Sequence, residues 1–291
     1  MLKTIECGVI VLNLLVLPYF VFMILAALVA TFRRQETLSL NSTRSRFLIV
    51  CPAHDEEFNV STTVESCLAA DYPPSQFEVL VIADNCTDRT ATVAAQSGAR
   101  VLERFDLERK SKGYALEFLL AHIQGTGELD SLDAIVVIDA DTIMDPDLLR
   151  YFDQDLQRGR DWIQCYYSVE NPDESWRTRL MMLGFSLYNG VMPLAQDALG
   201  IGAALRGNGM CFSTRGLGRV PWSAHGLVED LEFTCSLLIA GEQIAFQPRA
   251  CVRGTVPSRG DSATANQRRR WEFGRRDVGG DSSARCSAPR T

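Results

Sequence analysis

Three stretches of this chain are runs of apolar, mostly β-branched residues that stop abruptly at carboxylates: IVCPAHDEE from Ile49, VLVIADNCTD from Val79 and IVVIDADT from Ile135. A run that is apolar at successive positions, without alternation, belongs to a strand covered on both faces, as in a parallel sheet flanked by helices. In open α/β sheets, ligands bind beyond the carboxyl ends of the strands. The pattern therefore predicts an α/β fold whose strand tips hold a charged ligand together with a cation.

Between these runs the sequence alternates in the way βαβ units require. Strands are predicted at residues 47–51, closed by Pro52, and at 77–83, 101–102 and 134–138. Helices are predicted from Asn59 or Ser61 to about Ala70, from Thr87 or Asp88 to about Ser97, from Ser111, and from Asp145-Pro146. The second half is less regular. It offers strands at 162–169, 210–213 and 244–247, a helix at 229–240, and one long helix over 175–199 rich in Leu, Met and Phe, read as a core helix or one lying partly on a membrane surface.

The chain has 291 residues, enough for one large domain or two small ones. Acidic residues outnumber basic ones 36 to 29, for a net charge of -7, which argues against a nucleic-acid partner. The nine cysteines are scattered without zinc-ligand spacing and read as reduced thiols. Residues 7–32 carry no charge, and as a helix they would span about 39 Å, more than a hydrocarbon core. Arg33, Arg34, Arg44 and Arg46 follow, so the positive-inside bias places the remainder in the cytoplasm. The expected organisation is a transmembrane anchor at 1–34, a linker at 35–45, a catalytic domain at 46–277 and a disordered or truncated tail at 278–291.

Asp139 and Asp141, alternate residues at a strand tip, put two carboxylates within reach of one ligand. Their repulsion is relieved by a divalent cation, and Mg²⁺ takes one or two carboxylates plus substrate phosphates. Asp84 at the second tip serves equally well as a helix cap. Lys112 opens a helix, where a cation can meet a phosphate beside free backbone N–H groups. Glu229 and Asp230 begin another helix; they either complement its dipole or offer a carboxylate as a base for a hydroxyl. Gln267, Arg268, Arg269, Arg270 and Trp271 form a basic turn with one aromatic residue, suited to stacking on a sugar and binding phosphate.

In this order the motifs resemble the family 2 glycosyltransferases, in the membrane-bound branch with cellulose, chitin, hyaluronan and poly-N-acetylglucosamine synthases, which carry a D, D, D, Q-x-x-R-W signature on a GT-A fold. The resemblance covers about residues 46–276. It implies a mixed, mostly parallel sheet and a nucleotide-sugar donor, a UDP-sugar by preference. By position, Pro52, Ala53, His54 and Glu56 match the first nucleotide-binding loop and Asp84 the carboxylate at the uracil or ribose. Lys112 matches a turn near the diphosphate, and Asp139 and Asp141 the metal-binding pair for Mg²⁺ or Mn²⁺. Gly207, Asn208, Gly209 and Met210 match the acceptor-lining loop. Asp230, after Glu229, matches the general base, and Gln267, Arg270 and Trp271 the Q-x-x-R-W beside acceptor and diphosphate. The chain departs from the family at Asp55, Ser111 and Val228, where Asn, Gly and Thr are usual.

The resemblance thus implies a membrane-anchored, inverting enzyme that passes a sugar to a hydroxyl of a saccharide or lipid-linked acceptor. Two rivals are a nucleotidyltransferase making sugar nucleotides and a truncated, inactive membrane protein that binds nucleotide-sugar. The first usually carries a Gly-rich basic loop near its N-terminus, which this sequence lacks.

Overall fold

The computed structural model describes residues 45–256, together with Leu14 and residues 17–19, 21–26 and 28–29. The expected linker, the tail and the Gln267–Arg270–Trp271 group lie outside the described residues. The described part of the expected anchor is helical, and among the described residues no helix is long and apolar enough to cross a membrane.

One eight-stranded sheet organises the domain. Its strands are β1 (Phe47–Ala53), β2 (Phe77–Asp84), β3 (Arg100–Arg104), β4 (Ala134–Val137), β5 (Thr142–Met144), β6 (Trp162–Val169), β7 (Met210–Ser213) and β8 (Ile244–Gly254), in the spatial order β3-β2-β1-β4-β7-β6-β8-β5. The sheet is mixed. β3, β2, β1 and β4 are mutually parallel, β7 runs antiparallel to both β4 and β6, and β8 pairs parallel with β6 and antiparallel with β5.

The helices are α1 (Val60–Leu68), α2 (Thr90–Gln96), α3 (Lys112–Gly125), α4 (Leu148–Gln157), α5 (Trp176–Phe185), α6 (Met192–Ala198), α7 (Thr214–Arg219) and α8 (Glu229–Ile239). Both faces of the central strands are buried because successive side chains point to opposite sides. Phe47, Ile49 and Cys51 pack with Val60, Val64, Ala94 and Phe152 of α1, α2 and α4. Leu48 and Val50 pack with Leu116, Leu119, Phe233 and Leu237 of α3 and α8. This double covering is what the unbroken apolar runs encoded. The described cysteines are all free thiols.

Several expected boundaries are corrected. β1 continues through Pro52 because pairing with β4 ends at Val50, so the missing proline N–H is not needed on that side. Pro146 precedes α4 instead of opening it; Asp147 stands at its N-cap. The long helix expected over 175–199 is interrupted by a π-turn at Ser186–Val191. There the Asn189 amide donates to the Tyr167 carbonyl at 3.1 Å, and Gly190 lies against the Tyr166 ring. An extra residue in a helical turn is the usual way to accommodate such an insertion. β8 reaches Gly254 instead of stopping at Gln247. Its register with β6 jumps between Cys165 and Tyr166, and the bulge takes up Pro248, which has no N–H to donate.

Candidate functional site

The carboxylate-bearing tips of β1, β2 and β4 meet at one end of the sheet. The first two are tied together: His54 Nδ1 donates to the Asp84 carbonyl at 2.8 Å, and the Glu56 N–H donates to Thr90 Oγ1 at 2.8 Å. Asp55 and Asn85 turn these loops with positive φ, a conformation Asn and Asp tolerate better than most residues. Asp84 is buried and accepts from Arg104 at 2.6 Å and from Asn85 at 3.0 Å. Arg104, also buried, was missed in the sequence because nothing local to β3 marks its partner.

Lys112 joins the two halves of the site. Ser111 caps α3 by accepting from the Tyr114 N–H, which fixes Lys112 at the first turn. Its ammonium donates to Asp139 Oδ1 and to the Gly207 carbonyl, and lies 4.0 Å from Glu229. Burial works against the Lys112 charge, yet Asp139 and Glu229 hold its pKa above the ordinary lysine value. A Cβ on Gly207, whose φ is 78°, would lie 3.5 Å from Asp230 Oδ2, so this loop runs beside the Asp230 carboxylate. Asp139, Gly207, Glu229 and Asp230 therefore converge around one ammonium.

Asn208 carries the link further. Fully buried, it accepts from the Asp139 N–H at 3.1 Å and donates to Thr142 Oγ1 at 2.8 Å, so it ties the Asp139 backbone and the Thr142 side chain on either side of Asp141. Burial, then the nearby Asp139 and Glu56 charges, push the Asp141 carboxyl up to about 6. Two carboxylates in this surplus of negative charge suit a divalent cation that also binds phosphate oxygens. A second cluster of ligand-type groups, Asp55, Cys86 and Asp88, has atoms within 4.8 Å of one another. Its carboxylates already accept from Thr87 and Thr90, which accounts for their placement as loop ties.

On the opposite side, burial raises Glu229 to about 7, with Lys112 opposing and Asp230 adding to the rise. Asp230 is also raised by burial, while the Leu231 N–H, Lys112 and Arg206 pull it back. A carboxylate shifted towards neutral pH is a better base than an exposed aspartate. The loop that delivers this pair is anchored by Trp222, whose indole donates to the Gly113 carbonyl at 3.0 Å and packs in an aromatic cluster with Phe212 and Phe233. Gly113 is required there because a Cβ would strike the Ala224 carbonyl.

Three further residues escaped the sequence reading. Tyr167 is partly buried beside Asn208, and its hydroxyl is raised by desolvation and by Asp139 and Asp141. Gln164 accepts from the Arg206 N–H at 2.8 Å and donates to the Asn208 carbonyl at 2.8 Å. Arg206 stacks on Tyr188 at 3.8 Å. Each acts across a long sequence separation, so no local motif announces it. Pro52 and Ala53 end β1 at the first loop, and Gly209 follows Asn208 into β7. Gln267, Arg270 and Trp271 are outside the described residues.

Solved structures with this architecture include the mannosyltransferase PcManGT from Pyrobaculum calidifontis in complex with GDP-Man and Mn²⁺. It is 19% identical with a TM-score of 0.61, over 86% of this chain and 69% of that one. Another is glucosyl-3-phosphoglycerate synthase from Mycobacterium tuberculosis in complex with Mn²⁺, UDP and phosphoglyceric acid, 21% identical with a TM-score of 0.57, over 89% and 86%. These likenesses establish the Rossmann-like GT-A fold. In sequence, the chain is similar to beta-monoglucosyldiacylglycerol synthase of Nostoc sp., 28% identical over 235 residues, 78% of this chain and 48% of the relative. It is also similar to poly-beta-1,6-N-acetyl-D-glucosamine synthase of Staphylococcus epidermidis, 25% identical over 239 residues, 80% and 54%. The chain spans about half the length of the curated relatives it matches. The sequence model of the glycosyltransferase like family 2 matches residues 45–274, nearly the whole of the domain built above, and the chain belongs to that family.

Proposed function

We propose that this chain is a membrane-anchored, inverting glycosyltransferase that moves a sugar from a UDP-sugar to a hydroxyl of a saccharide or lipid-linked acceptor. The observation that carries this reading is the convergence of Asp139, Gly207, Glu229 and Asp230 on Lys112. It sets a diphosphate-binding corner directly against a candidate base. The names of the sequence relatives, a glucolipid synthase and a polysaccharide synthase, support both acceptor classes, and the UDP and Mn²⁺ in one structural relative support the donor.

The reaction is a single displacement. The acceptor oxygen attacks the anomeric carbon from the face opposite the diphosphate while its proton passes to Asp230. The bond to the diphosphate oxygen breaks, and its electron pair leaves with UDP. Asp141 and Asp139 would hold Mg²⁺ or Mn²⁺, which neutralises charge on the departing diphosphate. Lys112 adds a fixed positive charge at the same place, already desolvated and therefore effective. His54, Glu56 and Asp84 bind the nucleoside end. By the family's motif, Gln267, Arg270 and Trp271 would serve the acceptor and the diphosphate.

The test is a UDP-release assay with the full chain across several nucleotide-sugar donors and acceptors. Acceptor-dependent UDP release supports the reading. Pyrophosphate release from a nucleoside triphosphate would replace it with a nucleotidyltransferase, and donor binding without release would mark an inactive binding protein.

A further inference from the structure

A helix packed on a globular domain turns its apolar stripe inward. α5 turns Met182 and Phe185 towards Ser168 and Tyr167, yet carries a second apolar stripe outward. Trp176, Leu180 and Leu183, with Leu187 in the following π-turn, recur at helical spacing along one side and are 70%, 60%, 57% and 48% exposed. The buried positions on this segment are polar: Thr178 and Asn189. Arg177 and Arg179 flank the stripe, and the Arg177 guanidinium lies 5.3 Å over the Trp176 ring. Arg179 reaches the exposed Asp173 at 3.3 Å.

Two connections say what the stripe faces. At one end the Tyr19 hydroxyl reaches the Met192 sulfur of α6 at 3.9 Å. The described N-terminal helical residues there, among them Leu17, Ile24, Leu25 and Leu28, are exposed as well. They belong to the uncharged stretch 7–32, which is suited to a bilayer interior. At that same C-terminal end Tyr188 stacks under Arg206, which also reaches the Met192 sulfur and whose charge acts on Asp230. The C-terminal end of the stripe thus adjoins both the N-terminal segment and the residues around the candidate base.

We propose that the exposed stripe of α5 lies in the boundary between headgroups and acyl chains of a bilayer, so that a lipid-linked acceptor approaches Asp230 from that side. A tryptophan and leucines on one face with arginines at its margin is the composition of a helix that lies in a membrane interface, where the guanidinium meets lipid phosphate while its stem stays apolar. The inference rests on the membrane-anchored part of the function proposed above and narrows its acceptor to a lipid.

The test uses the full chain reconstituted in vesicles of phosphatidylcholine and phosphatidylglycerol, with or without acyl-chain-brominated phosphatidylcholine, and reads tryptophan fluorescence. Trp162 and Trp222 are buried and Trp271 is the one other tryptophan besides Trp176, so the quenching that belongs to Trp176 is the share lost in Trp176→Phe, and that share is expected to be the larger. The double variant Leu180→Glu, Leu183→Glu should lose it too while binding UDP and Mn²⁺ as the parent does. Equal quenching in the parent and Trp176→Phe, or ready quenching of Trp176 by aqueous iodide in vesicles, overturns the proposal. Protection from iodide that grows with protein concentration at fixed lipid would assign the face to a second copy and also overturn it. UDP release to a soluble acceptor without Trp176 quenching would sink this inference and leave the transferase standing. Quenching without any UDP release would sink the transferase and leave the membrane placement standing.

Discussion

The two halves of the sheet do different work with different materials. The parallel half, β3-β2-β1-β4, presents Asp84 and Asp139 directly after buried apolar runs, and Asp141 two residues further on. The half built on β7, β6 and β8 presents Arg206, Gly207 and Asn208 from a loop and Glu229 and Asp230 from the first turn of α8, held by buried hydrogen bonds and an aromatic cluster. One side obtains its precision from strand pairing. The other obtains it from polar side chains whose partners lie far away in sequence. On the proposed reading the first half binds the donor, whose diphosphate is common to many enzymes, and the second receives the acceptor, which is particular to each.

If the division is real, removing the base should leave donor binding alone. Asp230→Asn is expected to reduce turnover on the order of 10² to 10⁴, since only proton abstraction is lost. UDP affinity in calorimetry should be unchanged; parallel losses in both would break the division. Glu229→Gln probes the same half through stability. Burial raises Glu229 from 4.5 to about 7, so between those values the folded protein keeps a proton that the unfolded chain has released. The stability tied to this group is full below pH 4.5 and is lost as pH rises through about 7. Glutamine stays neutral, so the variant should gain on the parent by up to about 3 kcal/mol across that window, read from denaturant midpoints. An unchanged difference between pH 4.5 and 8 would mean that Glu229 is not desolvated as described.

On the donor side, Asp141→Ala should weaken Mn²⁺-dependent UDP binding at least as much as the roughly 10- to 100-fold typical of losing an outer-shell partner of a metal. Metal-free UDP binding should change little. Equal UDP affinity with Mn²⁺ in variant and parent would remove Asp141 from the metal role.

The same contrast explains what could be read from the residues in order. Ile49, Val81 and Val136 lie within runs whose chemistry changes abruptly at a carboxylate, so both strand and site are local features. Ser111 ahead of Lys112 is equally local, because a cap leaves its mark within a few residues. Beyond β4 the residues still mark β6, β7 and α8 to within a residue, but not the elements between them. β5 is three residues long and follows the Asp139-Ala140-Asp141 turn at once, too short for any periodicity. The second part of β8 is hidden by Pro248, which reads as a strand terminator until the bulge against β6 is seen. α7 begins when Ser213 Oγ accepts the Gly216 N–H at 2.8 Å, inside a stretch whose glycines argue against a helix. Tyr167, Gln164 and Arg206 matter through partners about 20 to 40 residues away, a distance over which an isolated sequence carries no signal.

Asn208 stands on the seam and tests whether the halves are coupled. Asn208→Ala would leave the Asp139 N–H and the Thr142 hydroxyl without this partner, at a cost of about 1–3 kcal/mol in stability. If the donor carboxylates depend on the other half for their backbone, Mn²⁺-dependent UDP affinity should fall with it. A destabilised variant with full affinity would show the two halves to be independent.

The smallest expected effect comes from Tyr188, which lies outside both strand tips and loops. Its ring is the surface on which Arg206 rests at 3.8 Å, and Arg206 is one of the charges that keep Asp230 ionised against its burial. A cation–π contact at a half-exposed site contributes about 0.5–1 kcal/mol. Tyr188→Ala should therefore slow UDP release by about two- to fivefold, by the usual conversion of about 1.4 kcal/mol per tenfold. Tyr188→Phe keeps the ring and should restore the rate. UDP affinity should match the parent in both variants, because the perturbation reaches only the acceptor half. A fall in UDP affinity in Tyr188→Ala would place Arg206 on the donor instead, and the boundary between the halves would then have to be drawn on the other side of Gly207.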